Sequence, residues 1–340
     1  MRSRTTSNGP NSRVQTPQGG LRKTSSDEKL DRLLDLLNRP QLKLDHAKEV
    51  KQVLKSMNHD KKWLVQFLQA KGLHLLSAQL VNFHTNPDVV VGGTDVQLEL
   101  LLCMKSAMNS QLGLEVMTQE ADLVSSLALN VDCADPVICT QTLELLTVLM
   151  VSGEGGSKTV LDALDFFKLV KRERVRFQSL VDVLLAHPPS SSPAARTQSL
   201  SQPQQVPDTL LGQSSSISLK RDVLFFLNTV VNSSLALEDR LEIRADLIYA
   251  GVLPAIEALK LLCFDELVQD VDVDVDIMSA AGEGGSAASS ARAEAAVRRV
   301  EELHELESQL QVFETVRAGG AGRSRGREQR LLIDSLYRIC

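Results

Sequence analysis

The 340-residue chain is poor in aromatic side chains, which make up 4% of it and include a single Trp. Its apolar content of 43% is therefore mostly Leu, Val and Ala, a composition that packs helix on helix better than it fills a β-sandwich. It also lacks an excess of positive charge, with 37 Lys+Arg against 43 Asp+Glu and a formal net charge of −6. A surface that neutralises phosphates needs the reverse balance, so nucleic acid is excluded as a partner. No apolar run reaches the ~18–20 residues of a membrane span. The basic N-terminus has no apolar stretch behind it that would make it a secretory signal. Cysteine is scarce and odd in number, with five at positions 103, 133, 139, 263 and 340 and no pair at metal-ligand spacing. They read as reduced, mostly buried thiols of a cytoplasmic protein.

Motifs that carry chemistry are missing as well. The nearest is Gly153-Glu154-Gly155-Gly156-Ser157-Lys158-Thr159. A phosphate-cradling loop needs Gly-x4-Gly-Lys-Ser/Thr after a strand. Counted from Gly153, the second glycine's place falls on Lys158, and the preceding residues continue a helical pattern. The stretch reads as a loop joining two helices. Asp272, Asp274, Asp276 and Glu283 occupy four positions of a calcium loop. The sixth position, however, is Ile277 instead of Gly, and a Gly/Ala/Ser stretch stands where the second helix belongs. The six His show no HExxH, and no Ser lies in a Gly-x-Ser-x-Gly turn. The expectation is a protein that is not an enzyme, with no catalytic residues, metal or cofactor.

What is present is a succession of helical patterns. Residues 1–26 are basic and rich in Ser, Thr, Gly and Pro, too polar to offset the entropy of ordering, and read as a disordered tail. Apolar residues then recur at helical spacing over 27–37, 45–58, 61–71, 73–84, 95–109, 114–118, 121–129, 136–151, 158–172 and 175–186. A Pro/Ser/Gln-rich insertion, 187–217, reads as flexible. Helix resumes over 218–232, 237–249 and 253–262. An acidic and Gly/Ala/Ser-rich linker, 266–290, leads to an amphipathic helix, 291–316, and an Arg/Gly-rich tail, 317–340. In that helix Leu303/Leu310 and Leu306/Phe313 are seven-residue pairs, a pattern that admits a homodimer through a short coiled coil. Three long apolar helices end alike, at Met108-Asn109-Ser110, Met150-Val151-Ser152 and Val231-Asn232-Ser233. The first two lie 42 residues apart. A period of ~40–47 residues in a helical chain marks armadillo or HEAT repeats, so the expected fold is all-α, an armadillo-like α-solenoid over 27–265 followed by the amphipathic helix.

Three segments in this order resemble the N-terminal regulatory region of diaphanous-type formins, their GTPase-binding and formin homology 3 armadillo domain. The run from Cys103-Met104-Lys105 through Met108-Asn109 to Gly113 is similar to that family's Cys-Leu-Lys-Ala-hydrophobic-Met-Asn-x-x-x-Gly. Arg176-Phe177-Gln178-Ser179-Leu180-Val181-Asp182-Val183-Leu184 resembles Arg-Phe-x-x-Leu-Val-x-x-Leu. Phe226-Leu227-Asn228, Leu237-Glu238-Asp239-Arg240, Ile243-Arg244 and Gly251-Val252 follow as Ile-Asn, Leu-x-x-Arg, Ile-Arg and Gly-Leu. The stretch from Glu305 to Glu314 resembles the helix after the family's repeats.

The resemblance implies a cytoplasmic, cytoskeleton-associated module that controls actin filament assembly without touching actin itself. Its implied partners are a Rho-type small GTPase and the amphipathic autoinhibitory helix of a formin C-terminus. For the GTPase the resemblance points to Asn109, Ser110 and Gln111. For the autoinhibitory helix, groove residues are expected on the repeat-ending helices, off the core stripe. These are Lys105 and Asn109 on the first, Glu144 and Val148 on the second, and Arg221, Phe225, Asn228 and Asn232 on the third. The competing expectation is an armadillo adaptor without GTPase control.

Overall fold

Strong local stops and starts break this chain into short helices. Asp60 caps a helix by accepting hydrogen bonds from the Lys62 and Trp63 amides at 3.0 and 3.3 Å. Ser110 accepts from the Gly113 amide at 3.0 Å and Asp135 from the Val137 amide at 2.9 Å, the latter just ahead of Pro136. Each cap satisfies an amide that the first helical turn leaves without a partner. Lys71 and Arg172 end their helices in the left-handed region, at φ 59° and 58°.

The computed structural model describes residues 25–85, 93–132, 134–186, 209–233, 237–263 and 287–317. Among these residues every regular element is an α-helix. The first unit holds α1 (Ser25–Leu37) and α2 (Leu44–Met57), and the second α3 (Lys61–Gln69), α4 (Gly72–Thr85) and α5 (Gly93–Met108). The third holds α6 (Gln111–Gln119), α7 (Ala121–Ala128) and α8 (Pro136–Val151), and the fourth α9 (Glu154–Lys171), α10 (Gln178–Leu185) and α11 (Thr209–Ser233). The last comprises α12 (Leu237–Ala250), α13 (252–263) and α14 (Ala287–Arg317).

The final helix of each unit packs on the final helix of the next, α2 on α5, α5 on α8, α8 on α11 and α11 on α14. The remaining helices stack behind them, α1 on α4, α4 on α7, α3 on α6 and α6 on α9. This is the layering of an armadillo-like solenoid, in which neighbours stack and the inner helices line an extended binding surface. One continuous apolar core runs from Leu30 to Phe313. The recurring Met108, Met150 and Val231 ends are the C-termini of three successive inner helices, α5, α8 and α11.

Three expectations change. The Gly153–Thr159 stretch is not a loop, because α9 begins at Glu154 and only Ser152-Gly153 form the connection. Gly156 belongs there because a Cβ would lie 2.1 Å from the Leu149 carbonyl oxygen, so α9 starts hard against the end of α8. Ser157 seals the junction by donating to the Met150 carbonyl at 2.8 Å. The insertion expected over 187–217 is helical from Thr209 onward; residues 187–208 lie outside the described residues. The amphipathic helix, longer than expected, is the inner helix of the last unit, not an appendage. The 1–24 tail, the 264–286 segment with its four calcium-loop positions, and the 318–340 tail also lie outside the described residues. Among the described residues no helix is long and apolar enough to cross a membrane.

Candidate protein-binding groove

The inner layer is knit by polar side chains that reach from one helix to the next. Lys51 of α2 pairs with Glu99 of α5 at 2.5 Å. Lys105 of α5 pairs with Glu144 of α8 at 2.5 Å, and Gln141 holds the other Glu144 oxygen at 3.0 Å. Thr140 of α8 donates to Asp222 of α11 at 3.0 Å. Arg221 of α11 binds Asp222 at 2.8 Å and reaches Glu305 of α14 at 2.9 Å. Burial pushes the Asp222 carboxyl up, against the opposing pull of Arg221 and Thr140. Such half-buried pairs between helices fix register more than they add net stability.

The expected groove residues divide into two sets. Lys105 and Glu144 are brought together as a pair, with Asn109 exposed one turn beyond Lys105 at the end of α5. Val148 sits one turn along α8 from Glu144, half-buried at the margin of the core. These four lie along the contact between α5 and α8. The α11 line, expected to stand open, is instead the seat of α14. Asn228 is 1% exposed and donates to the Gln309 backbone and side-chain oxygens, both at 2.9 Å. Phe225 is buried, Arg221 is engaged with Glu305, and Asn232 turns back to the Asn228 carbonyl at 2.9 Å. Leu303, Leu306, Leu310 and Phe313 are all buried within this chain. The seven-residue pattern thus serves an intramolecular contact, and the stripe expected to form a dimer is already covered.

The turn after α5 is built with little slack. Ser110 donates to the Ala107 carbonyl at 2.8 Å while capping α6 through the Gly113 amide. A Cβ on Gly113 would stand 2.0 Å from the Ala107 carbonyl oxygen. The Met-Asn-x-x-x-Gly pattern is therefore a close crossing of two helices. Gly113→Ala must push them apart and is expected to lower the unfolding free energy by ~1–3 kcal/mol, read as a lower urea midpoint; an unchanged midpoint contradicts that packing. The turn leaves two side chains to solvent, Asn109 and Gln111, the latter bonded at 3.1 Å to Glu115. Ser110 is half-buried and occupied by its two local bonds.

Arg176 has a role that its motif did not disclose. It is 7% exposed and binds Asp165 of α9 at 2.9 Å, Glu242 of α12 at 2.9 Å and Asp246 at 3.6 Å. It ties the turn after α9 to the following unit, and Phe177 beside it takes φ 74° at the start of α10. Partners 66 and 70 residues away carry no local signal in the sequence.

The model of the Diaphanous GTPase-binding Domain matches residues 12–151, and that of the Diaphanous FH3 Domain matches residues 157–318. The seam between them falls at the α8–α9 junction. Inverted formin-2 of Xenopus tropicalis is 30% identical over 135 residues, covering 40% of this chain and 10% of the relative. Disheveled-associated activator of morphogenesis 2 of Homo sapiens is 25% identical over 203 residues, 58% of this chain and 16% of the relative. Formin-D of Dictyostelium discoideum is 28% identical over 224 residues, 64% of this chain and 16% of the relative. The matched region spans between a tenth and a sixth of the length of these relatives.

Proposed function

Because this chain belongs to the diaphanous-type formins, as the regulatory region that carries their GTPase-binding and FH3 domains, we propose that its inner face takes an amphipathic helix from a formin C-terminus and releases it to a GTPase. The helix lies along the α5–α8 junction, with Val148 at its apolar floor and Lys105, Glu144 and Asn109 at its edges. A Rho-type GTPase in its GTP form docks on the turn that presents Asn109 and Gln111. Actin assembly is controlled only indirectly, through the helix that is held or released. Both domains are regulatory and not catalytic.

One observation carries this reading. Asn109 follows directly on α5, the helix that places Lys105 against Glu144, so the turn and the inner layer adjoin at one helix end. Ligands whose footprints share that end exclude one another, and their coupling is negative in both directions. An apolar trough with polar edges is what a helix-in-groove contact requires.

Isothermal titration with a peptide of a formin C-terminal helix tests it. Asn109→Asp adds a charge at the shared edge and is expected to weaken the peptide by ~1–3 kcal/mol. At a mere helix terminus the same change would leave affinity alone and move only the unfolding midpoint. No heat with the wild-type chain at high micromolar peptide would leave an armadillo adaptor without this latch. Equal binding by both proteins would move the site away from Asn109.

A further inference from the structure

α9 packs on α6, α7 and α8 and gives Val160, Ala163, Leu164 and Phe167 to the core. Its C-terminal end also turns apolar side chains outward. Phe166, Leu169 and Val170 are 42%, 73% and 48% exposed. Spacings of i, i+3 and i+4 put them on one face of the helix. Asp162, exposed one turn before Phe166, marks where that face becomes polar.

The same end carries charge against the trend of the chain. Residues 168–176 hold five basic side chains and one acidic in a protein of net charge −6. Part of this has a structural use. Lys171 pairs with Asp132 at 2.7 Å, and Arg176 is the tether to Glu242. Cations in a last turn also suit the negative end of a helix dipole. Arg172 and Arg174 have neither use. They follow Lys171, the last residue of α9, and both are exposed with no carboxylate partner among the described residues. The one acid between them, Glu173, is taken up by the Ser179 amide and hydroxyl. The turn itself is held. The Arg172 amide donates to the Leu169 carbonyl at 3.3 Å and the Glu173 amide to the Lys168 carbonyl at 2.9 Å, with Arg172 at φ 58°.

Two free guanidinium groups beside three outward apolar side chains fit an anionic interface. There, apolar residues enter the boundary between headgroups and acyl chains while cationic heads stay at the phosphates. An acidic protein would satisfy the arginines equally well, but it would need a hollow shaped to receive Leu169. A lipid surface takes a protruding side chain without one. We propose that the end of α9 docks on an anionic membrane surface, through Phe166, Leu169 and Val170 with Arg172 and Arg174. The patch shares no residue with the α5–α8 contact, so the proposal stands or falls independently of the helix placed there.

Fluorescence of the full chain on vesicles tests it. The single Trp, Trp63, is 1% exposed and does not report on the surface. Leu169→Trp puts a reporter in the patch. Its emission is expected to shift to the blue, and to be quenched by brominated lipid, on phosphatidylcholine vesicles with roughly a third phosphatidylserine. Phosphatidylcholine alone should leave it unmoved. Val137→Trp, at a site 52% exposed on α8, should not shift on either. Arg172→Glu with Arg174→Glu is expected to lower sedimentation affinity for the anionic vesicles at least ~tenfold. Lys61→Glu with Lys62→Glu makes the same change of net charge at exposed sites on α3 and should alter it by less than ~twofold. Equal loss from both charge pairs, or sedimentation without a shift at position 169, overturns the proposal by placing the attraction elsewhere. No sedimentation overturns it too, and leaves the patch to an acidic protein.

Discussion

Leu306→Asp is expected to strip α14 from the solenoid and to lower the unfolding free energy by about 4 kcal/mol or more. Leu306 is 0% exposed, in a buried row with Leu303, Leu310 and Phe313 that packs on α11. A carboxylate there enters an apolar cluster, and an unpaired buried charge is among the few single changes with effects of this size. Loss of the helix also frees Asn228 from Gln309 and releases Arg221 from Glu305. Thermal unfolding combined with light scattering decides between the two roles of this stripe. As an inner helix, it gives a destabilised chain with unchanged association. As a coiled-coil seam, it would give a dissociated but equally stable protein, and that result would contradict the packing described here.

Lys220→Met is expected to be nearly as damaging. The Lys220 side chain is 2% exposed and its ammonium donates to three carbonyls at the end of α10: Val183 at 2.9 Å, Leu184 at 2.6 Å and Ala186 at 2.6 Å. The last carbonyls of a helix have no partners of their own, so one residue of α11 closes α10. Methionine keeps the apolar stem and removes every donor, which leaves buried acceptors unpaired at a loss of ~3 kcal/mol. Burial pushes the Lys220 pKa down to about 8 from 10.5. Between those values the unfolded chain binds this proton more readily than the folded one, so the stability this group contributes rises with pH across that window. Urea midpoints for both proteins from pH 7 to 10.5 should show the rise in the wild type and its absence in Lys220→Met. A variant as stable as the wild type would mean that water already satisfies those carbonyls.

Much of the fold was legible because its signals are local. The bounds of α8 follow from Asp135, Pro136 and Ser152, residues that begin and end a helix by their own chemistry. The period followed from inner helices that end alike. The start of α9 was hidden because Gly155-Gly156 reads as a loop, whereas Gly156 is there to admit the end of α8. The first turns of α11 were hidden by their Ser and Gln content. The stripe on α14 was visible but its partner was not, since one helix packing on one neighbour shows the same seven-residue pairs within its own chain or between two chains. The groove was half legible. Lys105 and Glu144 were placed on one surface, yet their pairing spans 39 residues and the covering of α11 spans 81. The motifs that carried the family resemblance owe their form to packing, with Gly113 at a helix crossing and Arg176 at a tether between units.

As the latch proposed above, this face would read the nucleotide state of a small GTPase and pass it to a bound helix. The most direct measurement titrates a Rho-type GTPase, loaded with either a GTP analogue or GDP, into the full chain already holding a labelled formin C-terminal helix peptide. Saturable one-to-one displacement by the GTP-analogue form is expected, at least ~tenfold stronger than by the GDP form, a difference of ~1.4 kcal/mol. Displacement should weaken when Asn109→Asp is introduced. Equal action of the two nucleotide forms, or binding of GTPase and helix together without competition, would contradict it.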